Sequence, residues 1–323
     1  MTPLAATALV FLGLLLLAGG GEALVRGATA LARLAGLTPA VIGLTVVAVG
    51  TSLPELVVSI FAALGGQPDI AVGNVVGSNI FNVVGVLGIT ALITVVPVHG
   101  TAVKLEWPFM FVASCGVVLL ARDGLLDRLE AGFLLVSLVL FIGFMVRLAR
   151  REVAGAEQAE FEAEVAQRTL RAPRARGLLA LGAVAGGIVL LVLGGRALVL
   201  GAVELARLAG MTERVIGLTV VAIGTSMPEV AASVMAALRG RTDVAVANLI
   251  GSNIFNLLGI LGITALIQPV PVSAAMLSGD MVWMLLTAFA LFPILRTGMR
   301  VSRLEGAILL AIYAAYLGVL LGG

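Results

Sequence analysis

One cysteine and one histidine in 323 residues remove several kinds of chemistry at the outset. Cys115 alone can form neither an internal disulfide nor a cysteine-based metal cluster, and inside an apolar run it reads as a small packing residue. His99 falls in a loop and takes no role, so zinc and copper lack their usual nitrogen and sulfur ligands. Charge is equally scarce: 12% of residues are charged, against about a quarter in a soluble domain. A net charge of +2 gives no reason to expect a nucleic-acid partner. The apolar runs also lack polar/apolar alternation, which excludes the strands of a membrane barrel.

Hydrophobic residues make up 60% of the chain. They gather in ten runs, at about 4–20, 41–63, 70–94, 103–121, 129–147, 178–200, 215–238, 244–267, 276–295 and 304–321. Each is long enough as a helix to cross roughly 30 Å of hydrocarbon. Weakly polar stretches extend the first and sixth toward Ala35 and Ala209. The first run lacks the positive n-region of a signal peptide, and a similar Leu/Gly-rich segment, "LLVLGGRALVLGAVELARLAG", returns in mid-chain, so the run is read as structural. The fold class is an all-α polytopic membrane protein.

Long stretches repeat at an offset of 174 residues. "VIGLTVVAVGTSLPE" from Val41 returns as "VIGLTVVAIGTSMPE" from Val215, and "GSNIFNVVGVLGITALI" from Gly77 returns as "GSNIFNLLGILGITALI" from Gly251. Chance similarity between apolar helices would not hold the polar residues in register. The chain divides into a first five-helix repeat at 1–149, a linker at 150–176 and a second repeat at 177–323. An odd number of spans inverts the second copy, the plan of secondary transporters with a midplane site. The linker carries Arg147, Arg150, Arg151, Arg168, Arg171, Arg174 and Arg176 in and around it, which places it in the cytoplasm and both termini on the opposite face. It reads as a solvated, partly helical segment.

In "GTSLPE", Gly50 to Glu55, and "GTSMPE", Gly224 to Glu229, proline withholds a backbone donor from the carbonyl four residues back. Pro54 and Pro228 therefore free the carbonyls of Gly50 and Gly224, and exposed backbone of this kind belongs in a protein interior or a hydrated cavity. Thr51 and Ser52 precede Glu55 by four and three residues, so helical geometry puts hydroxyls and carboxylate on one face. Ser78 and Asn82 share a face in the next span, and the second repeat supplies Thr225, Ser226, Glu229, Ser252 and Asn256. Such hard oxygen donors suit Na⁺ and Ca²⁺. Glu55 and Glu229 are expensive at mid-bilayer and occur there twice, so they read as functional, whereas Asn79 and Asn253 read as packing polar groups. Two carboxylates are neutralised by one Ca²⁺ or two Na⁺. Asp69 and Asp243 read as helix caps; Glu106, Asp280, Trp107 and Trp283 read as interfacial.

The duplicated "GTSLPE"/"GTSMPE" and "GSNIFN" motifs resemble the two α-repeats of the cation/Ca²⁺ exchanger superfamily, most closely the prokaryotic Na⁺/Ca²⁺ exchangers. The resemblance implies ion ligands at Thr51, Ser52, Glu55, Ser78, Asn82, Thr225, Ser226, Glu229, Ser252 and Asn256, with Glu55 and Glu229 on Ca²⁺, and backbone carbonyl ligands at Ala48 and Ala222. It implies long first and sixth helices that slide, with Glu22 and Arg196 near water beside them. Some superfamily members, K⁺-dependent exchangers among them, look to have aspartate where this chain has Asn256, which argues against K⁺ co-transport. H⁺/Ca²⁺ members resemble it less, since they carry "GN" where this chain has "GTS". Ala247 departs from the Gly73 of the first repeat.

The expected function is a non-enzymatic antiporter of the inner membrane that exchanges Na⁺ for Ca²⁺ by alternating access, with no cofactor beyond the transported ions. H⁺/Ca²⁺, other divalent-cation and K⁺-dependent exchange stand as alternatives. An intramembrane hydrolase would need a nucleophile or a metal-activated water, for which the spans offer no aspartate pair or histidine. A passive channel is disfavoured by the inverted, proline-broken repeats.

Overall fold

The computed structural model describes residues 1–34, 52–98, 100, 102–152, 174–238 and 242–322. The first repeat contributes α1 (Pro3–Leu34), α2 (Leu53–Leu64), α3 (Pro68–Ile93), α4 (Ala102–Asp123) and α5 (Arg128–Glu152). The second contributes α6 (Arg174–Ala209), α7 (Glu213–Thr225, then Met227–Leu238 after a bend of 43°), α8 (242–267), α9 (Met276–Arg296) and α10 (Arg303–Gly322). Among the described residues eight helices are long and apolar enough to cross a membrane, and the bent α7 makes nine. The short α2 is the described end of the second expected span; the rest of that span lies outside the described residues.

Burial separates the spans into two classes. The apolar stretch of α3 is 83% buried and that of α8 78%, against 11% to 33% in the other intact spans. These two twins form the centre, and the outer helices face lipid with stripes such as Phe133, Val136 and Leu140 on α5. Cys115 is exposed on α4, so it belongs to this outer surface and not to the packing expected of it.

The long helices α1 and α6 run antiparallel, which is the inversion of the repeats made visible. Gly13, Gly20 and Gly27 recur every seven residues, as do their twins Gly187, Gly194 and Gly201. A Cβ at Gly20 would stand 2.8 Å from the Leu191 nitrogen and 2.9 Å from the Gly187 carbonyl, and one at Gly194 2.8 Å from the Leu17 nitrogen. Only glycine permits backbones to touch this closely.

Sequence-local devices start and stop the other helices. Asp127 with Glu130 caps α5, and Ser302 with Glu305 caps α10, each pair exchanging side-chain bonds with the other's backbone N–H. Arg128 donates to the Leu266 carbonyl at 3.2 Å and Arg303 to the Ile93 carbonyl at 3.4 Å, so each caps the C-terminus of the other repeat's central helix. Two short ribbons also join the repeats: β1 (Val96–Pro97) pairs with β4 (Arg300–Val301), and β2 (Leu125–Leu126) with β3 (Val270–Pro271), both antiparallel.

Two residues expected at the interface are buried inside the protein. Asp280 is 2% exposed; Arg214 holds it through Nε at 2.6 Å and Nη2 at 3.4 Å, and the Tyr316 hydroxyl stands 3.4 Å away. The carboxylate can be buried because a guanidinium from α7 reaches it. Trp107 is buried as well, donating to the Ala288 carbonyl at 2.7 Å and stacking on Phe111. Trp283 is half-buried and tilts against Tyr316. Arg214→Gln should strip Asp280 of its charge partner and cost about 3 kcal/mol, the scale for breaking a buried ion pair. Thermal unfolding of the purified protein checks this, and Asp280→Asn in the same background should recover part of the loss.

Candidate cation site

Two helix starts meet at the centre of the molecule. Ser52 occupies the N-cap position of α2, with φ −91° and ψ 10°, and Pro54 sits in the first turn, where its missing N–H removes no helical bond. Ser226, at the bend of α7, has nearly the same torsions, φ −82° and ψ 7°. The proline therefore begins a new helix in each repeat; Pro228 also has no N–H to give the Gly224 carbonyl. Glu55 and Glu229 fall in the first turns of these helices, where aligned amide dipoles favour negative charge.

Both glutamates are fully buried. Ser52 Oγ donates to Glu229 Oε1 at 3.1 Å, and Ser226 Oγ donates to Glu55 Oε1 at 3.1 Å. Helical spacing alone would pair each serine with the glutamate of its own repeat. The non-helical torsion at each serine turns the hydroxyl to the opposite repeat, so the two halves are interleaved.

The central helices close the site from both sides. Ser252 Oγ on α8 stands 3.5 Å from Glu229 Oε1, and Ser78 Oγ on α3 stands 3.4 Å from the Ala222 carbonyl. That carbonyl also accepts from the Thr225 hydroxyl at 3.3 Å and the Ser226 amide at 3.1 Å. Asn82 and Asn256 lie in twin π-helical turns, Phe81–Val86 and Phe255–Ile260. Gly85 and Gly259 let the Phe81 and Phe255 rings lie over these turns. Ala48, Gly50 and Thr51 lie outside the described residues, as does His99.

Glu55 Oε2, Asn82 Oδ1 and Asn256 Oδ1 are buried without a hydrogen-bond partner. Such acceptors are costly inside a membrane unless something positive meets them. The donor set is carboxylate, amide, hydroxyl and carbonyl oxygen, which is the chemistry of hard cations. Among the described residues no three Asp, Glu, His or Cys side chains converge, so hydroxyls and amides must complete any coordination.

Sequence reasoning missed Asn74. Its Nδ2 donates to the Glu55 carbonyl at 3.0 Å and to Ser59 Oγ at 2.9 Å, while its Oδ1 accepts from Thr225 at 2.9 Å. The signal was present: Asn74, Ser78 and Asn82 recur every four residues and share one helix face. The Asn253 side chain bonds between helices, as expected of a packing polar group, whereas Asn79 Nδ2 donates to the Val75 carbonyl of its own helix at 2.8 Å. Asn253 accepts from Asn82 at 3.0 Å and donates to the Asn79 carbonyl at 3.2 Å.

Known proteins share this architecture. The family model described as sodium/calcium exchanger protein matches residues 5–147 and 179–322. The provisionally named antiporter CaxA of Alkalimonas amylolytica is 39% identical over 97% of this chain and 98% of its own length. The sodium/calcium exchanger MaX1 of Methanosarcina acetivorans is 33% identical over 97% of each. A solved structure of the sodium-calcium exchanger NCX_Mj, soaked with Na⁺ and Sr²⁺, superposes with a TM-score of 0.67 at 27% identity, covering 98% of this chain and 99% of that one.

Proposed function

Because the chain belongs to the sodium/calcium exchanger family, we propose that it exchanges Na⁺ for Ca²⁺ across the membrane, with Na⁺ influx driving Ca²⁺ extrusion. The observation that carries this reading is the reciprocal Ser52–Glu229 and Ser226–Glu55 pair, which brings two buried carboxylates to one place. Their charge matches one Ca²⁺ or two Na⁺, so loading with either relieves the same electrostatic cost. An empty site would have to carry both buried charges across, which favours obligatory exchange over leak.

In this reading Ser52, Glu55, Ser78, Asn82, Thr225, Ser226, Glu229, Ser252 and Asn256 bind the ions, joined by Thr51 and by the Ala48 and Ala222 carbonyls. The repeats 1–149 and 177–323 are the halves whose relative motion alternates access, and 150–176 is their cytoplasmic linker. The arginine distribution supports an inner-membrane protein with both termini outside the cytoplasm.

Proteoliposomes loaded with ⁴⁵Ca²⁺ test the coupling. Efflux should begin when Na⁺ is added outside. Efflux that follows a pH gradient and ignores Na⁺ would replace this reading with H⁺/Ca²⁺ exchange.

A further inference from the structure

The repeats are nearly identical around the site, yet their hydrogen bonds are not. On α3, Asn74 joins the Glu55 carbonyl, Ser59 Oγ and, across the repeats, the Thr225 hydroxyl. Its twin on α8 is Asn248, and the twin of Ser59 is Ser233. The Asn248 amide nitrogen and the Ser233 hydroxyl are buried without a hydrogen-bond partner. A second pair breaks symmetry in the same sense. Asn82 donates through Nδ2 to Asn253 Oδ1 at 3.0 Å, whereas Asn79 Oδ1, the acceptor of the twin contact, is buried and unpartnered.

An unmade bond in a buried site is a cost that a sequence this repetitive has the means to avoid. The same residue types at the same spacing satisfy one another in the first repeat. What the first repeat adopts here is therefore open to the second, and an inverted pair of repeats reaches its other access state when each half takes the arrangement of the other.

We propose that Asn74 and Asn248 are paired positioning residues for transport, Asn74 clasping the first repeat's site backbone in one access state and Asn248 clasping the second's in the other. Each clasp holds the main-chain carbonyl of its own repeat's glutamate, so it fixes where that carboxylate points. In the arrangement seen here the Asn74 clasp is made and the Asn248 clasp is open. Neither asparagine is required to touch the ion. This assignment rests on the alternating-access reading above, but not on which cation drives Ca²⁺ movement.

The test uses Ca²⁺/Ca²⁺ exchange, which requires alternating access and no coupling ion. Right-side-out and inverted membrane vesicles report the half-saturating Ca²⁺ concentration at each face, and their ratio reflects the balance of access states. Asn74→Ala weakens one state and should shift that ratio roughly tenfold; Asn248→Ala should shift it by a similar factor in the opposite direction. The double variant should return the ratio to within about twofold of wild type, although its turnover falls. A merely structural asparagine would lower the amount of active protein and leave the ratio alone. Shifts in the same direction, or none, overturn the proposal. If either alanine variant fails to fold, Ser59→Ala and Ser233→Ala carry the same test with smaller opposite shifts of about threefold. Wild-type vesicles without any Ca²⁺/Ca²⁺ exchange would count against the transport reading itself, a different outcome from active variants with an unmoved ratio.

Discussion

Glu55→Gln is expected to lower Ca²⁺ transport at least about a hundredfold, the equivalent of roughly 3 kcal/mol lost from a buried charge interaction. The amide keeps the shape and can still accept a bond from Ser226, so the loss isolates the charge. Glu229→Gln should do the same, because Ser52 and Ser252 both approach Glu229 Oε1. Ca²⁺ feels the missing charge twice as strongly as Na⁺, so Ca²⁺ binding should suffer more than Na⁺ binding in either variant. Calorimetric titration with each ion, beside ⁴⁵Ca²⁺ flux, measures both effects. Full transport by either variant would remove that glutamate from the site.

The second large effect concerns the helix pair that the site leans on. Gly20→Val should cut transport at least about tenfold and lower thermal stability, since overpacking costs about 1–3 kcal/mol even where side chains can yield. At Gly20 the obstruction is the backbone of α6, which cannot yield locally. Gly19→Val is the control, because a Cβ there meets nothing within 4 Å. The same contrast should hold in the partner helix, with Gly187→Val damaging and Gly186→Val tolerated. Flux together with unfolding temperature for the four variants decides the matter, and equal behaviour of Gly19 and Gly20 variants would contradict the close packing.

The sequence was a good guide wherever a residue's role follows from its own segment. Apolar run length located the spans, and the 174-residue offset announced the inversion that α1 and α6 display. Ser52 and Glu55 of the first motif do meet Ser226 and Glu229 of the second. The reading failed where a partner comes from elsewhere in the chain. Ser52 sits three residues from Glu55, yet its bond goes to Glu229, because a cap torsion overrides helical spacing. Asp280 begins a span and looks interfacial until Arg214 is placed beside it. Trp107 looks like a membrane anchor, but the Ala288 carbonyl satisfies its indole in the interior. Asn74 shows another kind of failure: its helix face was legible, but it lies between the two motifs, and its partners Glu55 and Thr225 come from other helices.

The two ribbons have a consequence for biogenesis. Val96–Pro97 waits for Arg300–Val301, and Leu125–Leu126 waits for Val270–Pro271. During synthesis the loops of the first repeat therefore emerge with their backbone partners not yet made, and contacts of such long sequence separation form late. Arg303, which caps α3, arrives later still. The first half inserts as a set of spans but cannot finish as a structure, and assembly is completed only when the segment leading into α10 reaches the membrane.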